Sequence, residues 1–265
     1  MTDRVAIAPI QRHGAGAPHQ DQDLVAVEAP LSVTLAGAGG REVALGLLMR
    51  TPGDDEDLIR GFLYSEGIIH AAADVVDIEF GESARVTLAP TVDLDATVAA
   101  RAPLTTSACG LCGRIEITRA DRRGQVPANL ILSREMIARL PAALRIGQTV
   151  FAETGGLHAA ALCDADGKVL IVREDIGRHN AVDKVIGAAL VAGRIPAATS
   201  VLAVSGRVAY EIVQKAAVAG VAAIVAVGAP SDLAVAAARS AGVTLIGFAR
   251  DGRFNAYAGF ERLVL

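Results

Sequence analysis

Two cysteines three positions apart are the strongest chemical signal in this sequence. Cys109 and Cys112 stand in the segment TTSACGLCG, whose glycines give the backbone conformational freedom. The thiolate is the nucleophilic form of cysteine, and the neighbouring Arg114 favours it through its positive charge. Such a pair can share a metal ion, form a disulfide, or act as a sulfur carrier with a second, resolving thiol.

These three chemistries place different demands on the sequence. Structural zinc needs four ligands, so His158 and Cys163 would have to complete the site. A thioredoxin-like redox pair follows a strand and opens a helix, whereas this pair precedes RIEITR, which is typical of a strand. A persulfide carrier needs one nucleophilic cysteine on a loop, and the Thr-, Ser-, Pro- and Gly-rich segment 103–113 meets that demand best.

Polar residues further along the chain indicate a ligand site. His158 comes shortly after two glycines in ETGGLHAAAL. It is either a general acid, general base or ligand contact, or a hydrogen-bonded histidine at the end of a structural element. Arg178 and His179 lie in VREDIGRHNAVDK, where a strand ends and a helix begins, and ligands of α/β sheets bind at such ends. A solvated polar turn is the alternative. The same junction carries Glu174, Asp175, Asn180, Asp183 and Lys184.

Two similar turns separate later strands from their helices. The first contains Ser205, Gly206 and Arg207, and the second contains Gly228 and Ser231. Free backbone N–H groups at helix N-termini bind phosphate, so two such turns at one edge of a sheet predict a cradle for a pyrophosphate or a nucleotide. Ser231 is alternatively an ordinary helix N-cap.

Residues 129–265 alternate between strand and helix patterns. Apolar runs predict strands at 157–163, 168–173, 201–204, 222–227 and 243–248, with helices at 180–191, 210–217 and 231–240. This alternation predicts an α/β fold with a mostly parallel sheet covered by helices. The sequence also predicts a short helix from Ser133 to about Pro141 and a strand at 149–153.

The chain upstream has a different, α+β character. Residues 23–128 predict a mixed strand and helix region that carries the cysteine loop, with two strands in 31–48, a helix after the acidic run 54–57, and more strand in 75–88. Residues 1–22 show no regular apolar pattern, so we expect a disordered tail.

Composition excludes several classes of protein. The 265 residues carry a net charge of −4, whereas nucleic-acid binders are usually basic. Neither a membrane span of about 20 apolar residues nor an N-terminal signal core is evident. Three cysteines, an odd number, do not form a disulfide framework, so we expect a cytoplasmic protein with a working thiol and with Cys163 in the core.

Seven blocks in order resemble one known family. They are TPGDDEDLIRGFLYSEGII, TTSACGLCG, ETGGLHAAAL, VREDIGRHNAVDK, SGRVAYEIVQKAA, GAPSDLAVAAA and FNAYAG, and together they resemble the formate dehydrogenase accessory sulfurtransferase family. The resemblance implies a homodimeric enzyme that takes sulfur from a cysteine desulfurase. It implies that the sulfur passes to the molybdenum cofactor, in its bis(molybdopterin guanine dinucleotide) form, before the cofactor enters formate dehydrogenase.

The resemblance also assigns roles to residues. Cys109 falls on the persulfide carrier and Cys112 on the second cysteine. The family's C-terminal cofactor contacts fall on Phe254, Asn255, Ala256, Tyr257, Ala258 and Gly259. Phe254 and Tyr257 are then expected to stack on a base, unless they fill the core. No structural metal is expected.

A cytidine-deaminase-like fold is implied for the C-terminal part, without deaminase chemistry. Zinc deaminases carry H-x-E, and here Ala160 stands two positions after His158. Two other functions remain open, which are a cofactor chaperone without sulfur chemistry and a thiol–disulfide oxidoreductase.

Overall fold

The computed structural model describes residues 3–14, 16–94 and 130–264. In these ranges the chain forms six α-helices and fourteen strands. The helices are α1 Asp55–Ser65, α2 Arg134–Ile146, α3 Thr149–Thr154, α4 Arg178–Val191, α5 Tyr210–Val218 and α6 Asp232–Ala241. The strands are β1 Val5–Arg12, β2 His19–Ala26, β3 Ala29–Ala36, β4 Glu42–Arg50, β5 Val75–Phe80, β6 Ala84–Leu88, β7 Leu132–Ser133, β8 His158–Cys163, β9 Val169–Asp175, β10 Val201–Val204, β11 Ala223–Ala226, β12 Thr244–Arg250, β13 Arg253–Ala258 and β14 Leu263–Val264.

A six-stranded sheet forms the centre of the C-terminal region, in the order β13-β12-β11-β10-β8-β9. Only the β10–β11 and β11–β12 pairings are parallel, and the other three are antiparallel. The predicted mostly parallel sheet is therefore wrong, whereas the α/β class is confirmed. The reason is connection length, since the turns from β8 to β9 and from β12 to β13 are too short for a parallel crossover. The likeness to cytidine deaminase stays a prediction.

Helices cover this sheet on both faces. The strands β10 and β11 are buried at every position because small and β-branched side chains fill both faces. Side chains of α4, α5 and α6 join one hydrophobic cluster, and those of α2 join a second cluster. No helix in the described part of the chain is long and apolar enough to cross a bilayer.

The N-terminal region forms a four-stranded sheet in the order β4-β3-β6-β5, as the strand predictions for 31–48 and 75–88 require. Its buried face carries Leu31, Val33 and Leu35 and packs in the same cluster as α1 and α4. One continuous core thus includes side chains from both regions. The division into 23–128 and 129–265 remains a prediction.

Helices α1 and α4 meet through their backbones. A Cβ atom added at Gly61 would overlap the carbonyl oxygen of Asp183, and one added at Gly187 would overlap the carbonyl oxygen of Asp57. Glycine at both positions therefore allows a closer approach than side chains permit.

The predicted disordered tail is wrong for the residues that pair in a hairpin. Strand β1 pairs antiparallel with β2 from Val5↔Ala26 to Arg12↔His19. Almost every β2 side chain is exposed, so no alternation of apolar and polar residues marks the strand in the sequence. Val5 anchors the base of the hairpin in a small cluster with Val150 and Leu157.

Two further elements differ from their predictions. Helix α2 continues through Pro141 to Ile146, because Leu140 and Leu144 extend its buried face beyond the proline. Residues 149–153 form helix α3 instead of the predicted strand. The carboxylate of Glu174 accepts hydrogen bonds from the backbone N–H groups of Val150 and Phe151, both at 2.9 Å, and thus satisfies the start of this helix from a distant strand.

Candidate functional site

The two predicted turns lie side by side at one edge of the central sheet. The Gly228 N–H donates to the carbonyl oxygen of Gly206 at 3.2 Å, and the Val208 N–H donates to that of Ala229 at 3.0 Å. A Cβ atom at Gly228 would lie 2.7 Å from Gly206 O and 2.8 Å from Arg207 N. The turns therefore pack backbone against backbone, which requires glycine at position 228.

His158 lies against the first of these turns. Strand β8 runs antiparallel to β10, so its first residue meets the end of β10. The Ala159 N–H donates to Ser205 Oγ at 2.9 Å, and a Cβ atom at Gly206 would lie 3.1 Å from His158 Nδ1. Burial lowers the pKa of His158 below 6.5, and the positive charges of Arg178 and Arg207 lower it further. The imidazole is therefore neutral at neutral pH.

Arg178 and His179 open helix α4 beside His158. Burial lowers the pKa of His179 from 6.5 to about 4, with further lowering by Arg178, Lys215 and His158. His179 Nε2 lies 3.7 Å from Glu211 Oε2, beyond hydrogen-bond distance. Within the described residues, this nitrogen and Arg178 Nε are buried without a hydrogen-bond partner. The start of α4 thus holds polar atoms that a ligand can satisfy.

Positive charge at this edge is not neutralised by neighbouring carboxylates. Neither Arg178 nor Arg207 forms an ion pair with any residue in the described ranges, although Arg178 is only partly exposed. Two such guanidinium groups beside the free N–H groups of the turns suit a phosphate or another multiply charged anion.

A pH dependence of stability follows from the buried imidazole. Below about pH 6.5 the unfolded chain protonates His179, whereas the folded chain does so only near pH 4. Stability is therefore lost as pH falls through this window, by up to about 3 kcal/mol. Urea unfolding at about pH 7 and about pH 5 should show a smaller loss for His179→Gln than for wild type. The exposed His13→Gln should retain the wild-type loss, and equal losses in all three proteins would contradict the assignment.

Other polar residues of the β9–α4 junction hold the fold together instead of facing a ligand. Asp175 forms a buried ion pair with Lys184 at 2.8 Å and accepts the Thr51 N–H at 3.2 Å. Asn180 donates to Asp175 at 2.9 Å and to the Met49 carbonyl oxygen at 2.8 Å. These contacts tie the end of β4 to the site edge.

Asp183, also from this junction, belongs to a second buried ion pair. Lys215 Nζ lies 2.8 Å from each carboxylate oxygen of Asp183, and Ser65 Oγ donates to the same carboxylate at 2.9 Å. Burial raises the pKa of Asp183, and Lys215 opposes that shift. The contacts join α1, α4 and α5 behind the site.

The C-terminal stretch forms strand β13 at the sheet edge. Phe254 is half-buried and packs against the second core cluster. Tyr257 packs on the first cluster, and its ring lies 3.1 Å from where a Cβ at Gly247 would stand, next to Pro230 of the second turn. Ala258 is buried, Ala256 and Gly259 are half-buried, and Asn255 is exposed. Their predicted cofactor contacts stay predictions.

Ser231 caps helix α6, since its Oγ accepts the Ala234 N–H at 3.2 Å. The predicted N-cap role is confirmed, and the hydroxyl is already engaged.

The cysteines divide between two settings. Cys109 and Cys112 lie outside the described residues. Cys163 is buried at the far end of β8 from His158, about 17 Å away along the strand, so these two residues cannot complete one zinc site. Burial raises the pKa of the Cys163 thiol to about 12, which makes it an inert core residue.

A cleft of about 590 Å³, which the sequence did not indicate, adjoins these turns. His158, Ser205 and Val227 line it at the sheet edge. Its other wall comes from the end of α2 and from α3, and includes Arg145, Gln148 and Phe151. No motif marks these wall residues, because they come together only once α3 forms.

Comparisons with known proteins agree on one family. The model of the FdhD/NarQ family matches residues 26–264. A sulfur carrier protein FdhD from Nocardia farcinica is 49% identical over 252 residues, which cover 91% of this chain and 88% of that protein. The protein of the same name from Saccharolobus solfataricus is 41% identical, with 92% of this chain and 93% of that protein covered.

A solved structure shows the same fold. The crystal structure of a formate dehydrogenase accessory protein from Desulfotalea psychrophila superposes with a TM-score of 0.76 at 23% identity. The match covers 98% of this chain and 99% of that chain. With the family model and the relatives above, it follows that the chain belongs to the FdhD/NarQ family.

Proposed function

We propose that this chain is a sulfur carrier. In this proposal Cys109 receives sulfur from a cysteine desulfurase and passes it to the bis(molybdopterin guanine dinucleotide) molybdenum cofactor, which formate dehydrogenase then takes up. The observation that carries the proposal is the 49% identity with a sulfur carrier protein over 91% of the chain. The name of the Desulfotalea protein supports formate dehydrogenase as the client. We place the reaction in the cytoplasm and on a homodimer.

Loading is a thiol exchange without net oxidation. The Cys109 thiolate attacks the outer sulfur of the donor persulfide, and the S–S bond of the donor breaks. Cys109 then carries the persulfide, while the donor cysteine leaves as a thiolate. A neighbouring cation such as Arg114 favours the attacking thiolate.

Delivery needs two electrons, because the outer sulfur of a persulfide must leave as sulfide. The Cys112 thiolate can supply them by attacking the Sγ atom of Cys109. That step forms the Cys109–Cys112 disulfide and expels hydrosulfide toward the acceptor. A cellular dithiol reductant then restores both thiols. The C-x-x-C spacing thus suits a carrier and a resolving cysteine.

The sheet edge suits the anionic ends of the acceptor. Arg178 and Arg207 lack carboxylate partners within the described residues, and the N–H groups of Gly206, Arg207 and Ala229 make no hydrogen bond there. Neutral His158 can donate or accept a hydrogen bond beside them. Binding there would hold the acceptor on the chain while sulfur is delivered.

Intact-protein mass spectrometry after incubation with a cysteine desulfurase and cysteine tests the proposal. Wild type should gain one sulfur that reductant removes, Cys109→Ser should gain none, and Cys112→Ser should keep the sulfur. Cys163→Ser is the matched control and should load like wild type. If wild type stayed unloaded while it still bound the cofactor, a chaperone without sulfur chemistry would replace the proposed carrier.

A further inference from the structure

The wall of the cleft contains a side-chain amide that has no protein partner among the described residues. Gln148 is only 4% exposed and lines the cleft. Its side-chain amide makes no hydrogen bond to any residue of the described ranges. Gln148 directly precedes α3, but the amide is not needed as a cap, because Glu174 already accepts the N–H groups of Val150 and Phe151. Its nitrogen and oxygen are not among the fully buried, unpaired polar atoms of the described residues, so they stay accessible at the cleft wall, where a ligand can bond to them.

Beside this amide lies a flat cationic surface. The Arg145 guanidinium lies over the Phe151 ring, 4.1 Å from its centroid, and both residues line the cleft. Arg145 has no ion pair among the residues that the structure describes. Guanidinium planes and aromatic rings are the surfaces on which heterocyclic bases stack. The cleft, at about 590 Å³, is in the size range of small-molecule sites.

We propose that Gln148 recognises the edge of a planar lactam heterocycle, guanine or pterin, that stacks on Arg145 in this cleft. The assignment rests on the proposed function, because both rings occur in the acceptor named there. A carboxamide places an acceptor beside a donor, and each ring offers a ring N–H beside a carbonyl oxygen. The carboxamide can therefore form two parallel hydrogen bonds with either ring.

Binding of small probes to the full chain tests this assignment. Calorimetry would compare GDP and neopterin, which carry the rings, with pyrophosphate, which has none. For Gln148→Leu we expect roughly a 10- to 100-fold loss of affinity for a ring-bearing probe, with pyrophosphate affinity unchanged. A loss confined to GDP identifies guanine, and a loss confined to neopterin identifies pterin.

A change in the ratio of GDP to ADP affinity distinguishes recognition of the ring from a merely structural role of Gln148. A structural defect would weaken the binding of both nucleotides alike. In Gln148→Glu the carboxylate only accepts hydrogen bonds. Guanine offers two adjacent N–H donors on its edge, whereas adenine offers a donor beside an acceptor. The ratio of GDP to ADP affinity should therefore rise about tenfold or more over wild type. Gln22→Glu, the same change at an exposed position, should leave the ratio unchanged.

Two results would overturn the assignment. One is an unchanged affinity for both GDP and neopterin in Gln148→Leu, together with an unchanged GDP-to-ADP ratio in Gln148→Glu, each variant with a normal urea unfolding midpoint. The other is a wild type that binds pyrophosphate as tightly as it binds GDP and neopterin. Sulfur loading of Cys109 in the same preparations separates this inference from the proposed function, since loading does not depend on Gln148.

Discussion

Replacing Lys184 by Met is expected to lower the free energy of unfolding by about 3–5 kcal/mol. Lys184 Nζ lies 2.8 Å from Asp175 Oδ2, and both side chains are completely buried. The same ammonium donates to the Thr51 carbonyl oxygen at 2.9 Å. Methionine fills similar space but leaves the Asp175 carboxylate without its counter-charge in the protein interior. Urea unfolding at neutral pH measures the loss.

Two further variants test whether the loss of stability comes from the unpaired Asp175 carboxylate. Lys168→Met makes the same change at an exposed lysine and should cost less than about 1 kcal/mol. Adding Asp175→Asn to Lys184→Met removes the stranded charge, so the double variant should be destabilised by less than the sum of the single changes. A loss for Lys184→Met as small as that for Lys168→Met would show that the ion pair does not hold β9 to α4.

The double variant Arg178→Ala, Arg207→Ala is expected to lose at least about a hundredfold in affinity for pyrophosphate. A hydrogen bond to a charged group contributes about 1.5–3 kcal/mol, and each guanidinium supplies at least one at this edge. At high salt, the affinity that Arg207→Ala loses should become smaller, because Arg207 is exposed and its charge is screened. The affinity that Arg178→Ala loses should change less, because Arg178 is partly buried. Calorimetry on the single and double variants provides the measurement.

The matched control is Arg134→Ala, Arg139→Ala. Both arginines are exposed on α2 and do not line the cleft, so the net charge changes equally while the site edge stays intact. We expect pyrophosphate affinity within about threefold of wild type, because charges beyond a Debye length are screened. An equal loss in both double variants would mean that net charge, and not the edge at Arg178 and Arg207, governs binding.

Elements with local signals were predictable from the sequence. Ser133 and Ser231 cap α2 and α6 as expected, because the capping hydrogen bond spans only three residues. The buried strands β10 and β11 follow from short apolar runs between helices. The meeting of the turns at Gly206 and Gly228 was also accessible, since the carboxyl ends of neighbouring parallel strands share one edge.

Elements that depend on distant residues were not predictable. Helix α3 is completed by Glu174, more than twenty positions downstream. Sequence likewise did not separate Arg178 and His179, which face the site, from Asp175 and Lys184, which pair with each other in the interior. All four are polar residues of one strand–helix junction, and only the packing of β4 against that junction distinguishes their roles.

Direct backbone contact makes α1 and α4 a single mechanical unit. With no side chain between Gly61 and Gly187, neither helix can slide or tilt without moving the other. The two helices are therefore expected to open together in local unfolding, although more than a hundred residues separate them in the chain. Since α4 begins at Arg178, a displacement of the ligand edge is transmitted directly to the N-terminal sheet, from which the chain continues toward Cys109.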